Sequence, residues 1–300
     1  LFAHPEVGGQ LVFKGGTSLS KVFGVIERFS EDIDLSVSPA FLGISEELVE
    51  QAETRNQRTQ RMQELETACN EGVRERFLPE LERMAREALG ERPGGKSWME
   101  YRVDATTHSP VVLFHYPSGE PTGFEYLSRS VKMEFGSLTD QRPVGTHAVR
   151  SWVAEEFPKQ LADFRCELVA LELERTFWEK ATILHAEHHR EQAKPMRDRF
   201  SRHYSDMAAL ARHTAADRAL ERADLRQRVA DWKSRFFAAS WARYDLAKPG
   251  TFRLVPPDFR LAELAADYSK MRPMFLVEPP PFERVMDTVS DLEHRMNRVA

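Results

Sequence analysis

The chain has 300 residues, of which 41% are hydrophobic and 30% are charged, and its formal net charge is −5. This composition excludes a disordered chain and leaves room for two domains, each with its own core. No apolar run is long enough to cross a membrane, and the acidic balance gives no global nucleic-acid signature, so an RNA partner would need a local basic surface.

Cys69 and Cys166 are the only cysteines, and they lie far apart in the sequence. So few cysteines fit a reducing compartment and argue against a disulfide scaffold or a structural zinc site, so we predict a cytoplasmic protein. The sequence begins at Leu1 rather than at a methionine, and we therefore expect further residues to precede it. For that reason the absence of a signal peptide says little about location.

The first chemical signal is a glycine pair near the start of the chain. A short apolar stretch at 11–13 predicts a buried strand, which leads into Gly15, Gly16, Thr17 and Ser18. Without a Cβ atom the backbone can approach phosphate oxygens, and the hydroxyl residues would stand at a helix start, where N–H groups are free. Apolar residues at three- and four-residue steps then predict a short helix reaching Ile26. Alone, a glycine pair is more often a simple turn.

The second signal is a pair of aspartates that follows the predicted helix. Asp32 and Asp34 alternate with two aliphatic residues, which predicts a strand with both carboxylates on one face. Two neighbouring carboxylates repel each other, and a divalent cation between them makes the arrangement favourable. Mg²⁺ uses one or two carboxylates together with substrate phosphates, which suits a nucleoside triphosphate site. A solvated strand end is the alternative, but the glycine pair, the spacer and the acids in this order favour catalysis.

The middle of the chain divides into a charged helical stretch and a group of strands. Residues 45–89 are acidic overall with one apolar stripe, which predicts a helical insertion that packs on the domain. Contact with a substrate or partner is the alternative role. Beyond the insertion, the residue pattern predicts strands at 98–105, 111–116 and 130–135, with another strand or the exit from the domain at 149–157.

The strand at 130–135 carries one acid, Glu134, which shares a face with Lys132 while the apolar residues face the other way. An acid on a strand beside the aspartate pair could complete a metal site or act as a base toward an incoming hydroxyl. On spacing alone, a functional role for Glu134 and a purely structural role, as a polar residue on a half-exposed strand, are equally well supported.

From Cys166 onward the pattern predicts helices, beginning with a long one over residues 167–189. Lys180 falls in the apolar stripe of that helix, where an ammonium group is costly without an anionic partner. A lysine that extends to the surface is the common alternative. The same helix carries three histidines, but no cysteine or acid pattern accompanies them and we do not predict a metal site there.

Residues 187–235 contain 12 Lys and Arg against 8 Asp and Glu, an excess of four positive charges. This is the one stretch whose composition offers an RNA-facing surface. A helical surface stabilised by salt bridges is the equally good alternative.

Several of these motifs together resemble a known family. The quoted motifs are G-G-T-S-L-x-K, R-F-S-x-D-I-D-L, V-K-x-E-F-G, E-R-T-F-W-E-K-A-T-x-L-H and S-R-H-Y-S-D-M. They resemble the AbiEii/AbiGii-type nucleotidyltransferase toxins, a branch of the polymerase-β-like superfamily. The resemblance covers nearly the whole chain, and its motifs at 14–37 and 174–207 are specific.

The resemblance implies an α+β protein of two domains with the active site in the cleft between them. Residues 1–160 would form a polymerase-β-like nucleotidyltransferase domain with a small mixed sheet and a helical insertion at about 45–92, and residues 161–300 a mainly helical domain. The implied metal ligands are Asp32, Asp34 and Glu134. The implied triphosphate contacts are Gly15, Gly16, Thr17, Ser18, Lys21 and Lys180. Asp206 would support catalysis or orient a basic neighbour such as Arg202.

The resemblance also implies a toxin that transfers a nucleoside monophosphate from an NTP to an acceptor hydroxyl, with Mg²⁺ as cofactor. The acceptor it suggests is the 3′ end of tRNA, and an antitoxin encoded nearby is the expected partner. A transferase that modifies a small molecule, such as an antibiotic, uses the same chemistry and is one alternative. A non-catalytic nucleotide-binding module is the other, against which the three intact sheet acids argue.

Overall fold

The structure is a computed structural model that describes residues 1–30, 32–117, 130–161 and 165–298. The protein has the α+β fold that the sequence predicts, with a mixed sheet followed by a helical C-terminal part. It divides by packing into two compact units.

Unit 1 comprises Leu1–Val22 and Ser30–Leu171, and unit 2 comprises Phe23–Phe29 and Glu172–Ala300. The division after Leu171 places the last strand with the sheet of unit 1, about ten residues beyond the boundary expected near 160. Unit 2 also takes a short segment from the N-terminal part of the chain.

Within the described residues the sheet of unit 1 has seven strands in the order β3-β4-β5-β2-β1-β7-β6. The strands are β1 Leu11–Lys14, β2 Asp32–Val37, β3 Met99–Val103, β4 Pro110–Phe114, β5 Val131–Gly136, β6 Val144–Arg150 and β7 Arg165–Leu171. The pairs β2/β5 and β1/β7 are parallel, and the other neighbours are antiparallel. The sheet is therefore mixed, as predicted.

The predicted strands at 11–13, at the aspartate pair, and at 98–105, 111–116 and 130–135 are confirmed as β1 to β5. The strand proposed at 149–157 lies earlier, as β6. The helix predicted from Cys166 is wrong over its first part, because β7 pairs along its whole length with β6 and also with β1. A short apolar run fits a strand and a helix equally well, and here the long-range pairing decides.

Five α-helices belong to the described part of unit 1: α1 Gly15–Lys21, α2 Glu46–Glu50, α3 Arg55–Gly72, α4 Leu78–Leu89 and α5 Trp152–Glu156. A π-helical turn at Val73–Phe77 joins α3 to α4. The insertion is helical and packs on the sheet, as predicted, since the buried Phe77 ring lies 5.5 Å from the ring of Phe135. Leu48, at the start of the insertion, is exposed.

The helix predicted to reach Ile26 ends at Lys21. Gly24 has a positive φ of 61°, which interrupts a right-handed helix. The chain then runs through Phe23–Phe29, where the Phe29 N–H donates to the Met274 carbonyl at 2.7 Å and the Leu276 N–H donates to the Glu27 carbonyl at 3.0 Å. These backbone bonds explain why the segment packs with unit 2.

Unit 2 is helical, with α6 Leu173–His188, α7 Ser201–Arg212, α8 Ala215–Leu220, α9 Ala223–Phe236, α10 Asp258–Lys270 and α11 Phe282–Arg298. Its core is aromatic, and the Trp178 ring packs between those of Phe177 and Phe252. In the portion of the chain that the structure describes, none of the helices is both long and apolar enough to cross a membrane.

Candidate active site

Strands β2 and β5 bring four charged side chains onto one face of the sheet. They run parallel, with Asp32 opposite Lys132 and Asp34 opposite Glu134. Paired residues on neighbouring strands share a face, as do residues two apart on one strand, so all four side chains lie together. We call this group (Asp32, Asp34, Lys132 and Glu134) the acid face. The structure therefore places the three predicted acids side by side.

The glycine turn lies directly against the acid face. Lys14, the last residue of β1, pairs with Asp34, and Gly15 follows it with a φ of 78°. A Cβ atom at Gly15 would overlap the Asp34 carboxylate. Position 15 thus requires glycine for two reasons: the positive φ of its backbone and the close approach of the Asp34 carboxylate.

The two hydroxyl residues of the turn hold it to the sheet. Thr17 Oγ1 donates a hydrogen bond to the backbone carbonyl of Asp32, and Ser18 Oγ donates to the carbonyl of Gly15 at 2.9 Å. Ser18 is fully buried. These bonds fix the start of α1 relative to the aspartate strand.

Lys132 is a member of the acid face that the sequence did not single out. Its ammonium group forms an ion pair with Glu134. Burial lowers the pKa of Lys132, but its hydrogen bond to Glu134 and the charges of Glu134 and Asp32 raise it more, so the net shift is upward. The signal was the K-x-E alternation on a strand next to D-x-D.

The donor set suits Mg²⁺ through the two aspartates. Among the residues with a described structure, no three His, Cys, Asp or Glu side chains converge on one point, and Glu134 is paired with Lys132 instead. Mg²⁺ takes only one or two protein carboxylates when phosphates supply its other ligands. The half-buried Asp32 and Asp34 fit that requirement.

In unit 2, Lys180 and Asp206 meet in a buried ion cluster with Arg28, which the sequence reasoning missed. Lys180 Nζ lies 2.7 Å from Asp206 Oδ2, and Arg28 donates to both oxygens of Asp206, at 2.7 and 2.8 Å. All three side chains are almost fully buried. Arg28 stands in the R-F-S motif, two residues after Ile26 and directly before Phe29.

In the buried ion cluster two cations, Arg28 and Lys180, share the carboxylate of Asp206. Burial alone would raise the pKa of Asp206, but Arg28 and Lys180 lower it well below its usual range. Burial also lowers the pKa of Lys180, and Asp206 opposes that effect only in part. Asp206 therefore stays ionised and positions Arg28 and Lys180, and it is a poor proton donor or acceptor.

Lys21 lies away from the acid face. Its ammonium group stands 2.9 Å from the centre of the Trp152 ring, and its side chain lines a cavity together with Ile33, which faces opposite to Asp32 and Asp34. Burial lowers the pKa of Lys21 to about 8, while Glu155 opposes the shift.

The histidines of α6 bind the backbone of unit 2. His185 Nε2 lies 2.9 Å from the Arg243 carbonyl, while its Nδ1 accepts a hydrogen bond from the Arg253 N–H at 3.0 Å. His188 Nδ1 lies 2.7 Å from the Val255 carbonyl. These contacts give both residues a role in holding the fold.

Several arginines of the basic stretch 187–235 pair with acids. The pairs include Arg190–Glu187, Arg197–Glu187, Arg218–Glu174 and Arg222–Asp224. Such pairs favour the salt-bridged alternative for part of this surface, although the Arg197 side chain remains 61% exposed.

The α+β fold, with carboxylates on one sheet face beside a Gly-Gly turn, agrees with the class of protein that a family comparison shows, the nucleotidyltransferases. A family profile described as nucleotidyl transferase AbiEii toxin, type IV TA system, matches residues 1–288. The chain belongs to this family and is a nucleotidyl transferase toxin of a type IV toxin–antitoxin system, which implies an antitoxin partner. No match was found among curated proteins.

Proposed function

We propose that this toxin transfers a nucleoside monophosphate from a nucleoside triphosphate to an acceptor hydroxyl, in a Mg²⁺-dependent reaction that releases pyrophosphate. The observation that carries the proposal is the contact between the glycine turn and the acid face. The Asp34 carboxylate occupies the space that a Cβ atom at Gly15 would need. In this proposal the backbone of the glycine turn binds phosphate, and the adjacent carboxylates bind the metal ion.

Asp32 and Asp34 would hold the Mg²⁺ ion. When bound, the ion supplies positive charge that neutralises the phosphates and stabilises the charge that develops at the transferring phosphate. The backbone at Gly15 and Gly16 would approach the phosphate oxygens, which side chains at these positions would obstruct. Thr17 and Ser18 keep that backbone fixed through their hydrogen bonds to Asp32 and Gly15.

Glu134 would accept the proton of the acceptor hydroxyl at a carboxylate oxygen. It lies in register with Asp34 and forms an ion pair with Lys132. Lys180 would bind an anionic group of the substrate, because burial disfavours its positive charge and the Asp206 carboxylate compensates for that effect only in part. Asp206 would hold Lys180 in position for that contact.

The acceptor that we propose is the 3′ end of tRNA. The family resemblance supports it, as does the excess of basic residues in 187–235. The salt bridges in that stretch reduce the number of arginines available for phosphate contacts. RNA binding would then rest on few charges, and the acceptor needs a direct assay.

The test incubates the full chain with each labelled nucleoside triphosphate, total tRNA and Mg²⁺. We expect labelled tRNA with the wild type and at least a 100-fold slower transfer with Asp34→Asn or Lys180→Ala. The first variant loses a proposed metal-binding carboxylate, and the second loses the ammonium group proposed to bind an anionic group of the substrate. The matched controls are Asp291→Asn and Lys248→Ala, which change exposed residues and should transfer normally.

Wild-type transfer rates in Asp34→Asn would overturn the mechanism. Pyrophosphate release without labelled RNA, together with labelling of a small hydroxyl compound, would assign the chain to the small-molecule transferases. Absence of pyrophosphate release with every triphosphate and acceptor would leave the non-catalytic binding module.

A further inference from the structure

Unit 1 contains a cavity of about 580 Å³ on the sheet face opposite the acid face. Its floor consists of residues from four neighbouring strands, β2, β1, β7 and β6. The strand registers place Phe13, Ile33, Val149 and Leu168 on the face that Leu35 shares, and Arg150 and Arg165 line the cavity from the end of β6 and the start of β7. The apolar lining residues are Phe2, Phe13, Ile33, Val149 and Leu168. A cavity of this size and character is typical of sites for small ligands.

The charged residues that line the cavity all carry positive charge. They are Lys21, Arg150 and Arg165, and no acidic side chain lines the cavity within the described ranges. Arg150 donates through Nη2 to the Leu161 carbonyl at 3.1 Å, but its buried Nε has no hydrogen-bond partner among the residues described here. A buried N–H donor without a partner is costly, and a ligand oxygen would satisfy it.

Lys21 completes the cationic side of the cavity. It extends from α1, stacks its ammonium group on the Trp152 ring, and is half-buried. Burial lowers its pKa to about 8 against the opposing charge of Glu155, which indicates that this ammonium group has too little anionic compensation. A negatively charged ligand would provide that compensation.

We propose that the cavity binds a small organic anion with an apolar body, the carboxylate or equivalent group lying toward Arg150 and Lys21 and the body against the apolar floor. A bare phosphate or sulfate ion is not the preferred ligand. Such an ion would lose hydration against the apolar floor, and it has no apolar part that could contact that floor. The cationic side favours an anion over a neutral amphiphile of the same shape.

The site is separate from the proposed nucleotide site, because the two lie on opposite faces of one sheet. They share one element, since Thr17 lines the cavity and also donates its hydroxyl hydrogen bond to the Asp32 carbonyl. An anion bound here would therefore contact α1, the helix that begins at the glycine turn.

The test is calorimetric titration of the full chain, without nucleotide, using the unbranched eight-carbon probes octanoate and octanol. We expect octanoate to bind at least about tenfold more tightly than octanol, as one charge-assisted interaction allows. A parallel titration with benzoate shows whether an aromatic body is accepted as well as an aliphatic one. Equal binding of octanoate and octanol, or no binding of any probe, would overturn the proposal.

Variants locate the binding in the cavity. Arg150→Met, which keeps the length of the side chain, should weaken octanoate about tenfold and leave octanol unchanged. Val149→Trp should fill the cavity and abolish binding of both probes. Arg102→Met, at an exposed strand position in the same unit, is the matched control and should bind like the wild type. If Val149→Trp does not fold, as judged by near-UV circular dichroism, the Arg150→Met result decides. Unchanged octanoate affinity in Arg150→Met would contradict the assignment.

Discussion

Gly15 is the residue at which backbone conformation and site chemistry depend on each other. We expect Gly15→Ala to slow nucleotidyl transfer at least 100-fold, because the new Cβ would displace the Asp34 carboxylate and strain a positive φ. The control is Gly9→Ala, where an added Cβ meets no neighbouring atom. Normal transfer by Gly15→Ala, measured with pyrophosphate release, would show that this close contact does not matter.

Lys132 is expected to compete with the metal ion for the carboxylates. Lys132→Met removes the cation that pairs with Glu134 and acts on Asp32, so the acid face becomes more negative. We therefore expect Mn²⁺, titrated calorimetrically as a probe for Mg²⁺, to bind about threefold to tenfold more tightly. Lys96→Met, at an exposed position, should leave the affinity unchanged. Weaker Mn²⁺ binding by Lys132→Met would instead make Lys132 a supporting residue for the ion.

Asp206 is expected to contribute strongly to stability because it is the shared anion of the buried ion cluster. Asp206→Asn would remove the carboxylate that the buried Arg28 and Lys180 share, at a cost of about 3–5 kcal/mol in the free energy of unfolding. The matched control is Asp217→Asn, which removes an exposed salt bridge with Arg295 and should cost about 0–1 kcal/mol. Urea unfolding at pH 7 measures both, and equal losses would contradict the role of the cluster.

The pH dependence of that contribution follows from the direction of the Asp206 shift. The folded-state pKa is lowered, so the stabilisation is fully present above the unfolded pKa of about 3.9. It declines as pH falls below that value and vanishes only below the folded pKa. The difference in unfolding free energy between wild type and Asp206→Asn should thus be constant from pH 7 to about pH 5. A difference that already falls between pH 7 and pH 5 would rule out a lowered pKa.

At the scale of elements, the insertion is part of the core of unit 1. Phe77→Ala should cost about 3–5 kcal/mol in unfolding free energy, because it removes a fully buried ring between the rings of Phe41 and Phe135. Phe237→Ala, whose side chain is 47% exposed, is the control of the same chemistry and should cost much less. Urea unfolding followed by tryptophan fluorescence separates the two, and a small loss in Phe77→Ala would mean that the insertion packs only loosely.

The elements that the sequence predicts well are those with a local signal. Alternation identified β2 and β5, and their faces follow directly from it, including the shared face of Lys132 and Glu134. The pairing of Asp34 with Glu134 was not available from the sequence, because register depends on contacts between residues 100 positions apart. The same limit explains β7, whose apolar residues fit either a helix or a strand until β1 and β6 are known.

The segment Phe23–Phe29 shows a second kind of limit. The apolar spacing predicts that α1 continues to Ile26, yet α1 ends at Lys21, and the segment bonds to the backbone of 274–276, about 250 residues away. The same segment carries Arg28, which donates to Asp206. The sequence therefore predicted Asp206 and Lys180 as site residues but not the contact of Asp206 with Arg28. Local periodicity carries no information on such contacts.

For the whole molecule, charge bears most directly on the acceptor. A net charge of −5 and paired arginines at Arg218 and Arg222 leave few cations for RNA phosphates. We therefore expect tRNA binding to weaken with salt on a shallow slope of about −3 in log K against log salt concentration. Filter binding across a series of salt concentrations measures this slope. A slope of zero, with transfer intact, would favour a small-molecule acceptor.

The nucleotidyltransferase account rests on a paired carboxylate site beside a glycine turn, and anomalous diffraction tests that site most directly. Crystals grown with Mn²⁺ and a non-hydrolysable nucleoside triphosphate should show an anomalous peak at the carboxylates of Asp32 and Asp34, with the phosphates along the backbone of Gly15 and Gly16. Crystals of Asp34→Asn should lose the peak. A strong peak that lies elsewhere, or that persists at full height in Asp34→Asn, would contradict the account.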